Sequence, residues 1–240
     1  MEFRYREFGE NIFEQLFFEQ KASQNTIFIF ADDMDKNRGI EWFSKYMQFS
    51  NCQITTFSEF KELLFFSHFP LLREEKRVIG FYKSLDRESR EFFRVSEYFD
   101  TIDIAANFFS LFSELNEAVI GDLGSIVELR KQQKEMYEMF KKIYLNYSSF
   151  LEKNGFTDTV VLHKKENIDY RNLDGIEKLI FINPMSFSKL EREIIRGAEK
   201  LCQTLFYVYG SEECYGEELV SKEFELKCRH GSYALFKDEF

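Results

Sequence analysis

The chain has 240 residues, enough for one large domain or two small ones. Its net charge of −10, from 32 basic and 42 acidic residues, argues against a strong stand-alone nucleic-acid binder, because phosphate neutralisation supplies most non-specific affinity. Apolar runs are far shorter than the ~20 residues that cross a bilayer, and no secretory signal is recognised, so we expect a cytoplasmic protein with no membrane partner. The four cysteines lack CxxC spacing, so we expect no zinc site.

The first third of the chain predicts alternating helices and strands. Residues 2–20 have apolar side chains at helical spacing, which predicts a helix. A first strand, buried on both faces, is predicted at 26–31, and a helix at 38–48. A second short strand follows, and Thr56 with Glu59 predicts a capping box at the start of the next helix, in which hydroxyl and carboxylate bind free amides.

The middle of the chain, residues 70–155, has no strand pattern and is typical of a small helical bundle. Ser125 and Glu128 predict a capping box at the start of its last helix. From the apolar spacing, the predicted helices cover about 72–84, 87–94, 101–119 and 125–153.

Strands return in the last third of the chain. An unbroken apolar run predicts a buried strand at 178–183, and Ser188 with Glu191 predicts a capping box for a helix at 188–201. Another strand is predicted at 204–210. The segments "FELKC" and "SYALF" near the end predict a terminal hairpin.

This order of elements predicts an α/β fold with a parallel sheet, interrupted by a helical insertion. We expect residues 1–66 and 157–240 to form one discontinuous α/β domain. Residues 67–156 form the all-helical insertion in this interpretation.

An acidic turn follows the first predicted strand. Asp32, Asp33 and Asp35 stand where many nucleotide-binding proteins place a glycine-rich phosphate loop. The nearby Lys36 is not followed by the Ser or Thr of a GK[ST] loop, and three carboxylates beside a triphosphate would repel it.

The second half of an ATP site is also missing from the sequence. A magnesium-holding carboxylate is expected at the end of a neighbouring strand, but the strand at 178–183 ends in Asn183 and Pro184. Two independent losses indicate a degenerate nucleotide site. We therefore expect no ATP binding, no cofactor and no catalytic residue in this chain.

The acidic turn leaves two further interpretations open. Its carboxylates lie at the end of a parallel strand, where α/β sheets bind ligands. One interpretation is therefore a stand-alone enzyme that uses a magnesium site at 32–35 for phosphate chemistry. The simpler alternative is that the acids cap the next helix and interact with its positive end.

Five stretches, in this order, resemble the N-terminal region of AddB/RexB-type subunits of bacterial helicase–nucleases, in the branch described as PD-(D/E)XK nuclease superfamily proteins. They are "NTIFIFADDMDKNRGIEWFSKYM", "ITTFSEFKELLF", "FYKSLDRESREFFRVSEYFDTIDIAANFFSLFSELNEA", the long helix ending in "YLNYSSFLEKNGFTD", and "LIFINPMSFSKLEREII". Their order is more specific than any one of them.

The resemblance implies a P-loop, superfamily 1 helicase-like core that carries the helical insertion. It further implies that more helicase-like sequence and a nuclease domain follow Phe240 in the whole protein, which would then be an exonuclease. The region present would be a non-catalytic scaffold that guides DNA and docks an AddA-like motor subunit in double-strand-break processing and recombinational repair.

The resemblance also implies a DNA contact at Thr55, Thr56 and Phe57, since the matching strand–turn segment of related helicases faces single-stranded DNA. From the residues alone, Thr56 is explained as a helix cap and Phe57 as a core residue. With ten excess negative charges, we expect only weak DNA binding by this chain.

Overall fold

The computed structural model of the protein describes residues 2–6, 9–46, 51–123, 130–184 and 186–209. The chain divides into two compact units. The first comprises the described residues of Met1–Leu64 and Asp169–Phe240, and the second is Phe65–Ile168. We call them the α/β unit and the helical unit.

The α/β unit begins with three strand–helix pairs. Its first elements are β1 (Glu2–Arg6), α1 (Ile12–Gln20), β2 (Thr26–Phe30), α2 (Asp33–Tyr46), β3 (Cys52–Thr56) and α3 (Phe57–Leu63). Local capping fixes two of the helix starts. The Asn11 side chain accepts hydrogen bonds from the first-turn amides of α1, and the predicted capping box of Thr56 and Glu59 is confirmed at α3.

The helical unit is built from helices and short 3₁₀ turns in its described part. Its helices are α4 (Glu75–Ser84), α5 (Arg87–Phe93), α6 (Ile102–Glu117), α7 (Lys131–Asn154) and α8 (Thr159–Leu162). The long α7 ends at Gly155, whose φ of 68° is the left-handed conformation that glycine adopts without steric cost. The extended backbone between these helices contributes one isolated bridge, between Leu71 and Thr157.

The chain then returns to the α/β unit with β4 (Lys178–Ile182), α9 (Lys189–Ala198) and β5 (Gln203–Tyr209). The capping box of Ser188 and Glu191 at the start of α9 is confirmed. The predicted α/β class is confirmed as well, because the five strands form one parallel sheet in the order β1-β5-β4-β2-β3.

Both faces of this sheet are covered by helices. All five residues of β2 are buried, as expected for a central parallel strand. On one face, Phe28 and Phe30 belong to a core cluster with Leu16 and Phe17 of α1, and α2 packs on the same cluster. On the other face, Phe60 of α3 packs edge-on against Phe181, with 6.1 Å between ring centroids.

The helical unit has a core of its own. Phe81 of α4, Phe108 of α6 and Tyr147 of α7 are fully buried, and Phe108 lies 5.0 Å from Phe81 and 5.9 Å from Tyr147 between ring centroids. Seven of the fifteen buried residues of this cluster are aromatic, which accounts for many of the phenylalanines of the insertion.

A buried ion pair crosses the helical-unit core. Asp158 has no exposed surface and caps α8, while both of its oxygens accept hydrogen bonds from Arg77, at 2.6 Å from Nε and 2.8 Å from Nη2. The hydroxyl of Tyr147 donates to the same carboxylate at 2.8 Å, and burial raises the pKa of this phenol. Asp158 therefore links α4, α7 and α8.

The prediction of one helix over 2–20 is wrong in its first half, where the structure has β1. Arg4 contacts Tyr207 on one face of the sheet, and Phe3 stacks on Phe206 on the other, with ring centroids 4.8 Å apart. The two-residue alternation of a strand was therefore present in the sequence. Its pairing partner, β5, lies about two hundred residues away along the chain and is invisible to local periodicity.

Two boundaries also differ from the sequence prediction. Helix α2 begins at Asp33 rather than at residue 38, because the acidic turn is its first turn. Residues 157–168, predicted to lie in the α/β domain, belong to the helical unit. The capping box of Ser125 and Glu128 and the terminal hairpin lie outside the described residues.

Candidate functional site

The candidate site lies between two neighbouring strands whose following connections run to opposite sides of the sheet. The chain passes from β2 to β3 on one side and from β4 to β5 on the other, although β2 and β4 are adjacent. Ligands of open α/β sheets bind in the crevice outside the carboxyl ends of such strands. Here that crevice is a cleft of about 350 Å³, and its walls include Asp32, Ser58, Phe57, Phe181, Phe187 and Glu191.

The acidic turn at this cleft is occupied by helix capping. Oδ1 of Asp32 accepts a hydrogen bond from the amide of Asp35 at 2.8 Å, and its carbonyl accepts from the amide of Lys36 at 3.0 Å. The exposed Asp33 lies in the first turn of α2, where a negative charge favours the helix dipole. The simplest of the sequence interpretations, helix capping, accounts for Asp32.

Asp35 is also engaged within its own helix. Its carboxylate lies 3.6 Å from Nη1 of Arg38. Burial, together with the nearby Asp32 carboxylate, raises the pKa of Asp35 above its ordinary value of 3.8. A site that already disfavours one negative charge is a poor place for a triphosphate.

Gly39, the glycine of this junction, serves packing. It is buried within α2, and a Cβ atom at this position would lie only 2.3 Å from Cζ of Phe30. The missing side chain lets α2 lie close to β2. In a phosphate loop, by contrast, glycines bring backbone amides against the phosphates.

Lys36, the possible counterpart of a phosphate-loop lysine, is held by a carboxylate. Its Nζ lies 2.6 Å and 2.7 Å from the two oxygens of Glu59. The same carboxylate accepts a hydrogen bond from the amide of Thr56 in the capping box, at 2.8 Å. These hydrogen bonds, that of Lys36 first, hold the pKa of Glu59 below its ordinary value of 4.5. Lys36 therefore faces a fixed negative charge.

The end of β4 supplies no acid at the expected magnesium position. Asn183 adopts a φ of 45°, in the left-handed region that asparagine tolerates better than most residues. Its amide donates to the carbonyl of Tyr207 at 2.7 Å, which extends the β4–β5 ladder by one residue. The residue thus shapes the turn that leads towards α9.

Two of the three proposed DNA-contact residues have structural contacts. Thr56 is buried as the cap of α3, and Phe57 lies 5.3 Å from Phe187 and 5.9 Å from Phe181 between ring centroids. These contacts fit the capping and core roles that the sequence left open for Thr56 and Phe57. The Thr55 hydroxyl is buried without a hydrogen-bond partner in the described structure, and the DNA contact of these residues stays a prediction.

The arrangement is a cleft with aromatic walls and a carboxylate rim. Its described residues provide neither the amide cradle nor the free cation that phosphate recognition requires. Within the described residues, no group of three or more His, Cys, Asp or Glu side chains is arranged to hold a metal ion. The magnesium interpretation of residues 32–35 therefore gains no support from the geometry.

Sequence reasoning missed Glu59 as the partner of Lys36. It identified Glu59 only as a capping residue, since the two are 23 positions apart. The clue available was topological: strands predicted as neighbours place the starts of their following helices, α2 and α3, at the same edge of the sheet.

No helix within the described ranges has the length and apolar character needed to cross a membrane. Comparison with known proteins adds no identity: no protein-family profile matches the sequence, and no curated protein sequence is significantly similar to it.

Proposed function

We propose that this chain is a non-catalytic scaffold: a helicase-like, P-loop-derived α/β module that has lost its nucleotide site. In this proposal it serves an AddB-type helicase–nuclease, guiding DNA and docking an AddA-like motor subunit during double-strand-break repair. The family assignment rests on the sequence resemblance. The loss of nucleotide binding rests on the geometry of the cleft.

The observation that supports this proposal best is the double contact between Lys36 and Glu59 at the switch point. A phosphate-binding lysine must present its charge to the ligand, but both oxygens of Glu59 already neutralise it. The first-turn amide of Asp35 is likewise taken by Asp32. A nucleotide would have to displace Glu59 from Lys36, and Asp32 from the amide of Asp35, before it could contact either group.

Isothermal titration with ATP and magnesium tests the loss of nucleotide binding. We expect no measurable heat of binding. A dissociation constant below roughly 100 μM, which corresponds to about −5.5 kcal/mol, would refute the claim. If such binding survived replacement of Lys36 and Asn183 by alanine, it would be assigned to another part of the surface.

Glu59→Gln is the matched variant for this titration. Glutamine can keep the capping box, so the variant frees the Lys36 charge with little change to α3. We expect it to remain unable to bind ATP, because the acids of the turn stay in place. ATP binding by this variant would show that the ion pair between Lys36 and Glu59 is by itself enough to disable the site.

The docking role requires a separate test. We expect this chain to co-elute at equal stoichiometry with an AddA-like helicase–nuclease subunit encoded in the same genome. Independent elution of the two proteins at micromolar concentration would argue against docking. That outcome would leave the calorimetric result unaffected.

A further inference from the structure

We infer that the helical unit carries a contact surface for single-stranded nucleic acid, formed by the arginines of α5 and an adjacent row of aromatic rings. This inference deepens the DNA-guiding part of the proposed function and rests on it. It also moves the contact away from the segment at Thr55–Phe57, which the structure uses for capping and core packing.

Three arginines line one open hollow of about 500 Å³ on this unit. They project from α5 and its end at positions three and four apart, which lie on one face of a helix. We call this site the arginine hollow, and its lining residues are Arg87, Arg90, Glu91, Arg94, Val95 and Ser96. The lining of the hollow thus has three arginines and one glutamate, although the chain as a whole has a net charge of −10.

The three guanidinium groups differ in how firmly they are held. Arg90 is fixed, since it donates to the carbonyls of Tyr82 and Leu85 at 3.0 and 3.2 Å. Arg87 is 92% exposed and pairs with Glu91 at 2.7 Å, an exposed contact of the kind that contributes little. The Arg94 side chain has no hydrogen bond or ion pair within the described part of the chain. Arg94 is therefore directly available to a phosphate, whereas Arg87 would first have to leave Glu91.

A row of aromatic rings continues from the hollow to the surface. Arg90 lies over Tyr82, with Cζ 4.3 Å from the ring centroid. Tyr82 contacts Tyr98 edge-on at 5.9 Å, and Tyr98 contacts Phe99 at 5.5 Å between centroids. Phe99 ends this aromatic row and is 75% exposed. An aromatic ring held by its neighbours yet open to solvent is a platform on which a base can stack.

Two acids near this surface are engaged by contacts within the protein. Glu91 pairs with Arg87, and Asp100 accepts hydrogen bonds from the amides of Ser96 and Glu97, both at 2.8 Å. These two amides hold the pKa of Asp100 below its ordinary value. The combination of cations that contact phosphate and a ring that stacks on any base fits single-stranded nucleic acid better than an acidic protein.

Fluorescence anisotropy of the full chain with a labelled oligothymidine at low salt tests this inference. We expect a dissociation constant that would lie in the ~10⁻⁶–10⁻⁴ M range of non-specific binding at physiological salt and is lower at the low salt of this assay. Phe99→Ala should weaken binding about tenfold, since one stacked base contributes ~1–3 kcal/mol. Phe18→Ala is the matched control, because Phe18 is 56% exposed and lies on the α/β unit; it should leave binding unchanged.

Salt dependence tests the phosphate contacts. The slope of log K against log salt should fall in magnitude by about 0.7 for Arg94→Ala, the value expected for one phosphate of a single strand. Arg38→Ala removes an equally charged, 59% exposed side chain from the α/β unit and should not change the slope. Circular dichroism of each variant checks that the fold is retained.

Three outcomes would overturn the inference. Binding that Phe99→Ala and Arg94→Ala leave unchanged would place the contact elsewhere. Equal affinity for polyglutamate, insensitive to Phe99→Ala, would indicate an acidic protein partner instead. Absence of oligonucleotide binding at low salt would show that this surface does not bind nucleic acid. The ATP titration and the motor-subunit test would be unaffected by that result.

Discussion

Replacing Asp158 by asparagine should destabilise the helical unit more than any exposed charge change. The variant keeps the shape of the side chain but removes the negative charge that Arg77 contacts through two hydrogen bonds. Removing one partner of a fully buried pair costs ~3–5 kcal/mol. Arg77 is 24% exposed and lies 3.9 Å from the Phe109 ring centroid, so part of its charge remains compensated. We therefore expect a loss of about 3 kcal/mol.

Urea denaturation followed by two probes measures this loss. Far-UV circular dichroism reports on helices of both units, whereas the fluorescence of Trp42, the single tryptophan, reports on α2 in the α/β unit. Asp158→Asn should shift the circular dichroism transition to lower urea, and the thermal midpoint of a unit of about 100 residues should fall by about 12–24 °C. Glu138→Gln, which removes an exposed partner of Lys141, should change stability by less than ~0.5 kcal/mol.

A result no larger than that of the Glu138 control would refute the reasoning, because it would mean that the buried carboxylate makes no net contribution. A second variant separates the charge from the packing. Arg77→Met combined with Asp158→Asn removes both charges, and we expect it to be more stable than Asp158→Asn alone, since no uncompensated guanidinium remains.

Three further predictions concern single positions. Because the pKa of Glu59 is lowered in the folded state, its contribution to stability is present above pH 4.5 and is lost as the pH falls through the folded pKa. Lys36→Ala should raise the pKa of Glu59 in a carbon NMR titration, and an unchanged pKa would show that Lys36 and Glu59 are not in contact. Gly39→Ala should destabilise the α/β unit by about 1–2 kcal/mol in urea, since the clash with Phe30 exceeds the ~1 kcal/mol gain in helix propensity, and a net stabilisation would contradict the close packing. Val119→Gly should stabilise the helical unit by about 1 kcal/mol in thermal unfolding, because the β-branched Val119 adopts a φ of 51°. A loss of stability would show that the packing of the Val119 side chain outweighs its backbone strain.

Local patterns in the sequence were sufficient where neighbouring residues decide the structure. The capping boxes at Thr56 and Ser188 depend on residues three positions apart, and the buried run of β2 is readable from its composition. The start of α2 was misplaced because a run of acids was treated as a turn rather than as a helix N-terminus.

Contacts between distant segments were not readable in this way. The pairing of β1 with β5 and the contact between Lys36 and Glu59 join segments whose proximity follows only from the strand order. The Arg77–Asp158 pair in the helical unit was missed for the same reason, because its members are 81 positions apart. A single sequence gives no physical signal for such pairs until the topology is known.

The position of the insertion within the sheet has a consequence for how the chain folds during synthesis. Paired residues of the neighbours β2 and β4 are 152 positions apart in the sequence, and Arg4 of β1 contacts Tyr207 of β5 at a separation of 203. The helical unit, continuous in sequence, leaves the ribosome complete while the sheet still lacks its central and closing strands. Its contacts can therefore form first, while the edge of β2 that pairs with β4 is still without its partner. Nascent chains of which residue 168 has left the ribosome and residue 178 has not should consequently be the ones most in need of chaperone protection.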